Sequence, residues 1–437
     1  MNNSNNFTDI NAFITWVESQ RRFSKKTSLD KMRFLMELFN HPEKKFLSIH
    51  ITGTNGKGSS VAMLRSIYQT AGYHVATFTS PYVVCFNERI CFDGKYISDL
   101  DLLYYGNLIV SKYDLIINKG YELPTFFEFI TLLAFLYFSN LNNLDLAIIE
   151  VGMGGRLDAT NVINPLVGAI TNVTKEHIEQ LGNTLEKITN EKLGIIKNNV
   201  PLVTSEKKVR LLAQMQNHCI LNGVDFIKVH YDAIKIISSD LNGSYFSYKD
   251  YKNIFIPLAG THQIENACLC IEIVEYMNKL AIEKKSNLTI SSKYLYEGFK
   301  NCFWPARMEK VSTNPLIYLD GGHNIDCMKR ICAFIKKLNI KFKRVVVAIS
   351  SDKELDKMIS LLDETFDEII FTNYTYKRSA KGEYLYNLSN SNRKILIDNV
   401  CEAVNYCFTH KCEFTLFTGS LYLVSEVRPI IINLQNK

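Results

Sequence analysis

One short segment near the N-terminus constrains the fold more than any other. An apolar run at 47–51 leads into the glycine-rich stretch 52–60, and apolar residues at helical spacing follow until Gly72. A strand, a glycine loop and a helix in this order favour a parallel α/β sheet. Glycines let backbone N–H groups turn onto phosphate oxygens, and the start of a helix adds positive potential. The segment therefore predicts a phosphate-binding loop.

The rest of the chain supports this fold class. Strand-like runs alternate with helical periodicity, which is typical of parallel sheets that bind ligands at the carboxyl ends of their strands. The predicted strands are 75–78, 146–149, 167–170, 201–204, 316–319, 345–348 and 368–371. A strand-rich stretch at 245–257 is interpreted as an extension of the first domain. Pro305 interrupts a helical pattern, so we predict two domains, 1–302 and 303–437.

Composition limits the class of protein. The 437 residues are 47% hydrophobic and 22% charged, which excludes a disordered chain, a collagen and a small disulfide scaffold. The net charge of +6 is interspersed with acids, so no nucleic-acid partner is expected. The apolar run 129–138 is too short to span a bilayer, the N-terminus lacks a signal-peptide pattern, and the eleven cysteines include no CxxC pair. We expect a cytoplasmic protein with no membrane partner.

The glycine loop departs from the usual P-loop pattern GxxxxGK[ST]. Gly53 precedes Gly56 and Lys57 by too few residues, and Gly58 stands between Lys57 and Ser59. Lys57 supplies a point charge for the β- and γ-phosphates of a nucleoside triphosphate. The loop is therefore interpreted as a variant phosphate loop, and a plain glycine turn before a helix is the alternative.

Two polar side chains come after predicted strands. Glu150 ends one strand and glycines that admit a ligand come after it, which suits Mg²⁺ bound with a triphosphate. His177 comes after the strand 167–170. Each has a structural alternative: Glu150 as a strand-end acid with a satisfied charge, and His177 as a hydrogen-bonded imidazole.

Lys192 lies in the apolar stripe of a helix that Asn183 or Thr184 is predicted to cap. Lysine is nearly always exposed, so its stem is expected to reach solvent or to pair with an acid. The alternative is that burial lowers its pKa and leaves a neutral amine. Such an amine can form a carbamate with CO₂, whose carboxylate can bind a metal.

Taken in order, these motifs resemble the folylpolyglutamate synthase and dihydrofolate synthase family, a branch of the Mur-type ATP-dependent amide ligases. Besides the glycine loop, the matching segments are 79–81, 87–90, 125–128, 150–161, 191–196, 262–263, 266–267, 304–307 and 320–324. The resemblance implies an N-terminal P-loop ATPase domain and a C-terminal Rossmann-like domain with the active site in the cleft between them. It also implies ATP, two Mg²⁺ ions, L-glutamate and reduced folates as ligands. Such a cleft needs no second subunit, so a monomer is expected.

The family's site residues carry over onto matching positions. Implied metal ligands are Ser80, Glu150, His177 and a carbamylated Lys192. Implied nucleotide contacts are Gly53, Thr54, Asn55, Gly56, Lys57, Gly58, Ser59, Asn266, Arg307 and Asp320. Implied catalytic residues are Lys57, His177, Lys192 and His323, and implied folate or substrate contacts are Thr125, Phe127, Glu128, Arg156 and Leu157. The chain departs from the family at Glu176, Ala306 and Gly322, where Asp, Gly and Ala are usual, and the pterin-binding stretch expected at 27–30 is not recognisable.

The implied activity is ATP-dependent ligation of L-glutamate to the γ-carboxylate of a folyl-(poly)glutamate through an acyl phosphate, with release of ADP and phosphate. Dihydrofolate synthase activity, alone or in addition, is one alternative. A peptidoglycan-type Mur ligase is a second, although segments 125–128 and 150–161 look folate-type. A P-loop NTPase that is not a ligase is a third, although segment 320–324 argues against it.

Overall fold

A computed structural model describes residues 6–21 and 28–435. The chain divides into two compact units. The first contains the residues up to Ser80 together with Phe86–Ile234 and Glu265–Cys302, and the second contains Pro81–Cys85, Lys235–Ile264 and the residues from Phe303 onward. Residues 1–5, which make up most of the N-terminal stretch without a signal-peptide pattern, and residue 27 of the expected pterin stretch lie outside the described residues.

The first unit is built on an eight-stranded sheet. Its strands are β1 (Ser48–Thr52), β2 (Val75–Phe78), β3 (Ile90–Phe92), β4 (Lys95–Tyr96), β5 (Leu146–Glu150), β6 (Val167–Ile170), β7 (Leu202–Thr204) and β8 (Phe226–Lys228). Its helices are α1 (Ile10–Ser19), α2 (Asp30–Leu38), α3 (Lys57–Thr70), α4 (Asp99–Val110), α5 (Tyr113–Asn118), α6 (Phe126–Ser139), α7 (Ile178–Leu181), α8 (Leu185–Leu193), α9 (Val209–Asn222), α10 (Thr261–Ile282) and α11 (Ser292–Lys300).

The strand order of this sheet is β4-β3-β2-β5-β1-β6-β7-β8. The six strands from β2 to β8 in that order pair in parallel, and only β3 and β4 are antiparallel. Parallel strands end at one edge, here called the carboxyl edge, and side chains that come after β2, β5, β1 and β6 are brought together there.

The second unit contains two sheets. Its strands are β9 (Ile234–Asp240), β10 (Gly243–Tyr248), β11 (Tyr251–Ile256), β12 (Glu309–Thr313), β13 (Leu316–Leu319), β14 (Lys343–Val347), β15 (Glu368–Phe371), β16 (Lys394–Leu396) and β17 (Phe414–Thr418). Its helices are α12 (Ile325–Ile335), α13 (Leu355–Asp363), α14 (Gly382–Leu388), α15 (Val400–Thr409) and α16 (Leu421–Gln435). The larger sheet has the order β12-β13-β17-β14-β15-β16 and is parallel except for β12, and the smaller one has the order β11-β10-β9.

Local sequence explains where several helices begin. Thr125 and Glu128 form a capping box at the start of α6, because each side chain bonds to the backbone N–H of the other. Ser98 caps α4 through the amide of Asp101, and Asn324 caps α12 through the amide of Cys327. The apolar run 129–138 lies inside α6, which is therefore a buried core helix.

The α/β class is confirmed in both units, and the predicted strands 75–78, 167–170, 316–319 and 368–371 have the observed bounds. The interpretation of the strand-rich stretch as an extension of the first domain stays a prediction, and by its contacts the stretch groups with the second unit. Packing around it explains why: Ala259 joins the core of the second unit, and the Tyr318 hydroxyl donates to the Leu241 carbonyl at 3.2 Å. The division into domains 1–302 and 303–437 stays a prediction.

No disulfide links any of the eleven cysteines, all of which lie among the described residues. Most are buried, and burial raises the pKa of Cys219, Cys302 and Cys407 to about 12, which makes these thiols unreactive. None of the described helices has the length and apolar character needed to cross a membrane.

Candidate functional site

The glycine loop runs from β1 into α3. Gly53 and Gly56 have φ angles of 146° and 91°, in the left-handed region that favours glycine. A Cβ on Gly53 would lie 1.8 Å from Thr171 Oγ1, and one on Gly56 would lie 2.4 Å from Asn266 Oδ1. The loop therefore requires glycine at both positions, and it lies directly against Asn266, one of the predicted nucleotide residues.

Lys57 is the first residue of α3 and folds back over the loop. Its Nζ donates to the carbonyl oxygens of Gly53 at 2.9 Å and Thr54 at 3.2 Å. Both acceptors are neutral carbonyl groups. An anionic phosphate would be a stronger partner than these carbonyls.

Asn172 braces the same loop from the end of β6. Its Oδ1 accepts from the Asn55 amide at 3.0 Å, and its Nδ2 donates to the Asn55 carbonyl at 2.9 Å. The Thr171 hydroxyl donates to that carbonyl as well, at 2.7 Å. Sequence reasoning missed both residues, although the rule that parallel neighbours end at one edge was a signal that could have found them.

Glu150 and Ser80 meet at the carboxyl edge. Glu150 is the last residue of β5 and only 4% exposed, and its Oε2 accepts from the Ser80 amide at 3.1 Å. In the pairing of β5 with β1, Glu150 lies opposite Ile51. The carboxylate thus lies beside the strand that leads into the glycine loop.

Lys192 is fully buried in the last turn of α8. Of the two outcomes expected for its stem, reaching solvent is wrong, since the side chain is 0% exposed, and pairing with an acid is confirmed, since Glu176 Oε1 lies 3.1 Å from Nζ. Burial lowers the pKa of Lys192 to about 8, the Glu176 carboxylate opposes this shift, and the nearby Lys57 charge adds to it.

The Glu176 carboxylate interacts with three of the predicted site residues. Burial alone would raise its pKa, but the charges of Lys192, Lys57 and His177 outweigh burial, and its pKa is lowered. His177 itself precedes α7 with a left-handed φ of 45°. Three residues predicted from separate motifs therefore surround one carboxylate, at the position where the family usually has Asp.

The glycines after Glu150 lie in close packing with neighbouring elements. A Cβ on Gly152 would lie 2.5 Å from the Phe127 ring, and a Cβ on Gly155 would lie 2.8 Å from the Glu191 carbonyl. Protein atoms already fill the space beside them, so these glycines let the loop pack against α6 and α8. The expectation that they also admit a ligand stays a prediction.

The five predicted folate residues are placed in different surroundings. Thr125 and Glu128 are buried in the α6 capping box, where Lys31 Nζ lies 2.8 Å from Glu128 Oε2. Phe127 packs against the ring of Phe78, with ring centroids 5.8 Å apart. Arg156 is largely exposed and pairs with Glu191 at 2.9 Å, and Leu157, the next residue, is half-buried.

Arg156 also lines a cavity of about 490 Å³ in the first unit. The cavity is lined as well by Leu29 and Arg33 of the α2 region and by Lys197. Burial lowers the pKa of Lys197 to about 8, and the Arg33 charge adds to the shift. No acidic residue lines the cavity within the described part of the chain, so its polar side is cationic.

The remaining predicted residues form a cluster in the second unit. Asp320 comes directly after β13, is buried, and accepts from the amides of Met308 and Gly322 at 2.9 and 2.8 Å. Burial raises its pKa, and the Arg307 charge opposes the rise. His323 Nδ1 lies 3.0 Å from the Gly321 carbonyl.

The structure shows the surroundings of two positions that depart from the family pattern. Ala306 has a φ of 55°, a left-handed conformation that glycine adopts more easily, and its amide donates to Glu309 at 3.0 Å. A Cβ on Gly322 would lie 2.4 Å from the end of the Ile331 side chain, so Ile331 occupies the space that an alanine methyl would need.

Comparison with known proteins agrees with this geometry. The profile of the Mur ligase middle domain matches residues 51–274, and that of the Mur ligase glutamate ligase domain matches residues 306–420. The dihydrofolate synthase/folylpolyglutamate synthase of Bacillus subtilis (strain 168) is 36% identical over 432 residues, which cover 97% of this chain and 99% of that protein. This chain belongs to the folylpolyglutamate synthase and dihydrofolate synthase family. Membership makes it an ATP-dependent ligase of the Mur type.

Solved structures of the family share the fold. Folylpolyglutamate synthase from Thermotoga maritima has a TM-score of 0.85 at 29% identity, covering 98% of this chain and 97% of that one. A folylpolyglutamate synthase complex with AMPPCP and folate has a TM-score of 0.81 at 27% identity, covering 98% of this chain and all of that one. The expected fold is confirmed, and ATP is the family's co-substrate.

The residues at the carboxyl edge fit the Mg²⁺ that the family implies. Mg²⁺ takes oxygen ligands and usually combines one or two carboxylates with waters and substrate phosphates. The buried carboxylate of Glu150 and the adjoining Ser80 provide such oxygens. No three His, Cys, Asp or Glu side chains among the described residues lie close enough to hold a metal ion. The donor set thus suits an ion that binds together with a triphosphate.

Proposed function

We propose that this chain ligates L-glutamate to the γ-carboxylate of a reduced folyl-(poly)glutamate, with ATP converted to ADP and phosphate. The observation that carries the proposal is the cluster at the carboxyl edge, where Lys57 of the glycine loop and the buried Lys192 act on one carboxylate, Glu176. The folylpolyglutamate synthase relatives in complex with an ATP analogue and folate support it.

The chemistry explains why such a ligase needs a phosphate loop. A carboxylate is a poor electrophile at neutral pH, so the γ-carboxylate is first phosphorylated, and the glutamate amine then displaces phosphate from the acyl phosphate. Negative charge spreads over the phosphoryl oxygens during transfer. Loop amides and the Lys57 ammonium stabilise that charge once Lys57 leaves the carbonyls of Gly53 and Thr54.

Glu150 and Ser80 are proposed to hold Mg²⁺ with the triphosphate, and His177 with a carbamylated Lys192 to hold a second ion. When bound, these ions neutralise phosphoryl charge. Support for the second site comes from Lys192, because a lysine whose pKa is lowered to about 8 has a substantial neutral fraction that can react with CO₂. Glu176 holds the ammonium form in place until that reaction occurs.

The cationic cavity is proposed to receive the acceptor. Reduced folates carry an aromatic ring system and carboxylates, and a cavity of about 490 Å³ lies within the range of small-molecule sites. Leu29 provides an apolar wall, while Arg33 and Lys197 provide positive charge without an acid among the lining residues. In the second unit, Arg307 and Asp320 are proposed to contact the nucleotide and His323 the incoming glutamate.

A paired assay tests the proposal. We expect ADP release that requires both L-glutamate and tetrahydrofolate, and Lys57→Ala or His177→Ala should abolish it. ADP release that ignores both acceptor and glutamate would contradict a ligase and favour a simple NTPase.

The same assay with dihydropteroate as acceptor tests a second candidate, dihydrofolate synthase activity. The Bacillus subtilis relative favours it, since the name of that protein contains both activities. Turnover with dihydropteroate and glutamate would assign both activities to this chain, and absence of turnover would leave the folylpolyglutamate reaction alone.

A further inference from the structure

Hydrogen bonds connect the ends of three neighbouring strands of the first sheet. At the end of β7, the Ser205 hydroxyl donates to the Thr171 carbonyl at 2.7 Å. At the end of β6, Asn172 makes two hydrogen bonds with Asn55 of the glycine loop, which comes after β1. The strands lie side by side in the order β1-β6-β7, so the end of β7 supports the loop through the end of β6.

Glu206 makes a further connection between the ends of β7 and β6. It is 2% exposed, and its Oε2 accepts from the Val173 amide at 2.7 Å. Its Oε1 accepts from the amides of Lys207 at 2.8 Å and Lys208 at 2.9 Å, and from Lys208 Nζ at 3.2 Å. Each of these partners is a donor, so the carboxylate satisfies all of them in one arrangement.

We propose that Glu206 is a positioning residue for nucleotide binding. It holds the amide of Val173, and Val173 is the residue directly after Asn172, which holds both backbone groups of Asn55. A shift of this peptide would move or break the contacts of Asn172 with the loop. The inference rests on the proposed binding of ATP at the glycine loop, and Glu206 itself contacts no substrate in it.

The physical reason is preorganisation. A phosphate loop binds through amides that must already point at the ligand, and reorienting them on binding weakens affinity. The peptide group between Asn172 and Val173 also holds Thr54, whose amide donates to the Asn172 carbonyl at 2.9 Å. Glu206 therefore fixes a segment that contacts two consecutive loop residues.

Glu206→Gln tests the proposal. An amide group replaces one carboxylate oxygen, so either Val173 or the Lys207 and Lys208 amides lose their acceptor. We expect the Kd for AMPPCP, measured by calorimetry, to rise about tenfold, as loss of a hydrogen bond to a charged group allows. Amide hydrogen exchange at Thr54 and Asn55 should become faster, while the KM for L-glutamate stays unchanged.

Two further variants separate positioning from stability. Glu206→Asp keeps the negative charge and can still accept from the amides of Lys207 and Lys208, but its side chain is too short to reach Val173 as well. It should therefore raise the Kd for AMPPCP, as Glu206→Gln does. Asp93→Asn is the matched control. Asp93 also accepts from a backbone amide, that of Val75 at 2.9 Å, but Val75 is the first residue of β2 and so lies at the end of the strand away from the carboxyl edge. This variant should lower the melting temperature without changing the Kd for AMPPCP.

The outcomes are distinct. Unchanged AMPPCP affinity and unchanged loop exchange in a folded Glu206→Gln or Glu206→Asp protein would overturn the proposal. Rapid exchange of the Val173 amide in the wild type would overturn it without any variant. If the wild type binds AMPPCP but releases ADP without acceptor, the proposed ligase function fails while the role of Glu206 stands. A wild type that binds no AMPPCP overturns both.

Discussion

Two lysines on either side of Gly194 share one physical property and differ in their partners. Burial lowers the pKa of both Lys192 and Lys197 to about 8. The ammonium of Lys192 meets the Glu176 carboxylate, within reach of the charge of Lys57. That of Lys197 donates to the backbone carbonyls of Asn161 and Ile163 and faces the cavity.

Burial alone therefore does not assign a role to a lysine. In both regions desolvation disfavours the charged form. The partners determine the role. Lys192 and Lys57 of the glycine loop both interact with the Glu176 carboxylate. Lys197 instead donates to carbonyls of the segment after Arg156 and places its positive charge at the cavity wall. Substitutions at the two lysines and their neighbours should separate the two regions, and the largest effect is expected at Lys192.

Lys192→Met is expected to reduce glutamate-dependent ADP release on the order of a thousandfold, because Met fills the space but supplies neither charge nor an amine. Steady-state assays with tetrahydrofolate measure this. Lys187→Met is the matched control, since Lys187 is an exposed lysine of the same helix, α8, and should keep wild-type turnover. If Lys192→Met retained a tenth of the activity, Lys192 would have a structural role and not a catalytic one.

The stability of the protein should depend on pH through Lys192. The unfolded state has the ordinary pKa of 10.5 and the folded state one of about 8, so between these values unfolding takes up a proton. Stability contributed by this group therefore rises with pH from 8 to 10, by about 2 kcal/mol. Urea unfolding at both pH values should show that Lys192→Met gains stability relative to wild type at pH 8 and loses most of that advantage at pH 10. A pH-independent difference would contradict the lowered pKa.

Lys197→Met is expected to raise the KM for the reduced folate about tenfold and to change kcat by less than about threefold, because a charge that contacts only bound acceptor affects binding more than chemistry. Initial rates over a range of folate concentrations measure both constants. The opposite result, a large loss of kcat at unchanged KM, would place Lys197 with the catalytic cluster and remove the distinction between the two lysines.

Glu191→Gln should have the smallest effect. It removes the ion pair with Arg156, whose side chain is 53% exposed, and exposed pairs contribute less than about 0.5 kcal/mol. Chemical unfolding should detect almost no change, and the KM for folate should rise at most about twofold. A larger rise in KM would show that Glu191 orients Arg156 at the cavity that Lys197 also lines.

Local pattern was sufficient for the elements of the fold. Alternating strand and helix signals placed β2 and β6 with their observed bounds, and the glycine loop before α3 was evident from spacing. The apolar stripe also placed Lys192 on the inner face of α8. These features depend on residues near one another in the chain, which is why sequence periodicity reports them.

Contacts between distant segments were not predictable in the same way. Glu176 reaches Lys192 across 16 residues, and Asn172 reaches Asn55 across 117. The sequence after Glu150 likewise does not show that Phe127 and α8 pack beside its glycines. The strand-rich stretch was assigned to its neighbours in the chain, whereas by its contacts it groups with the second unit.

By itself, the sequence determined the α/β class, the glycine loop between β1 and α3, and the family to which the chain belongs, because each of these depends on ordered local motifs. Tertiary structure decided which carboxylate meets Lys192, how Asn172 and Glu206 hold the loop, and why Lys197 differs from Lys192. The physical reason is that hydrogen bonds and charges act through space, and sheet order brings together residues whose separation in the chain contains no such information.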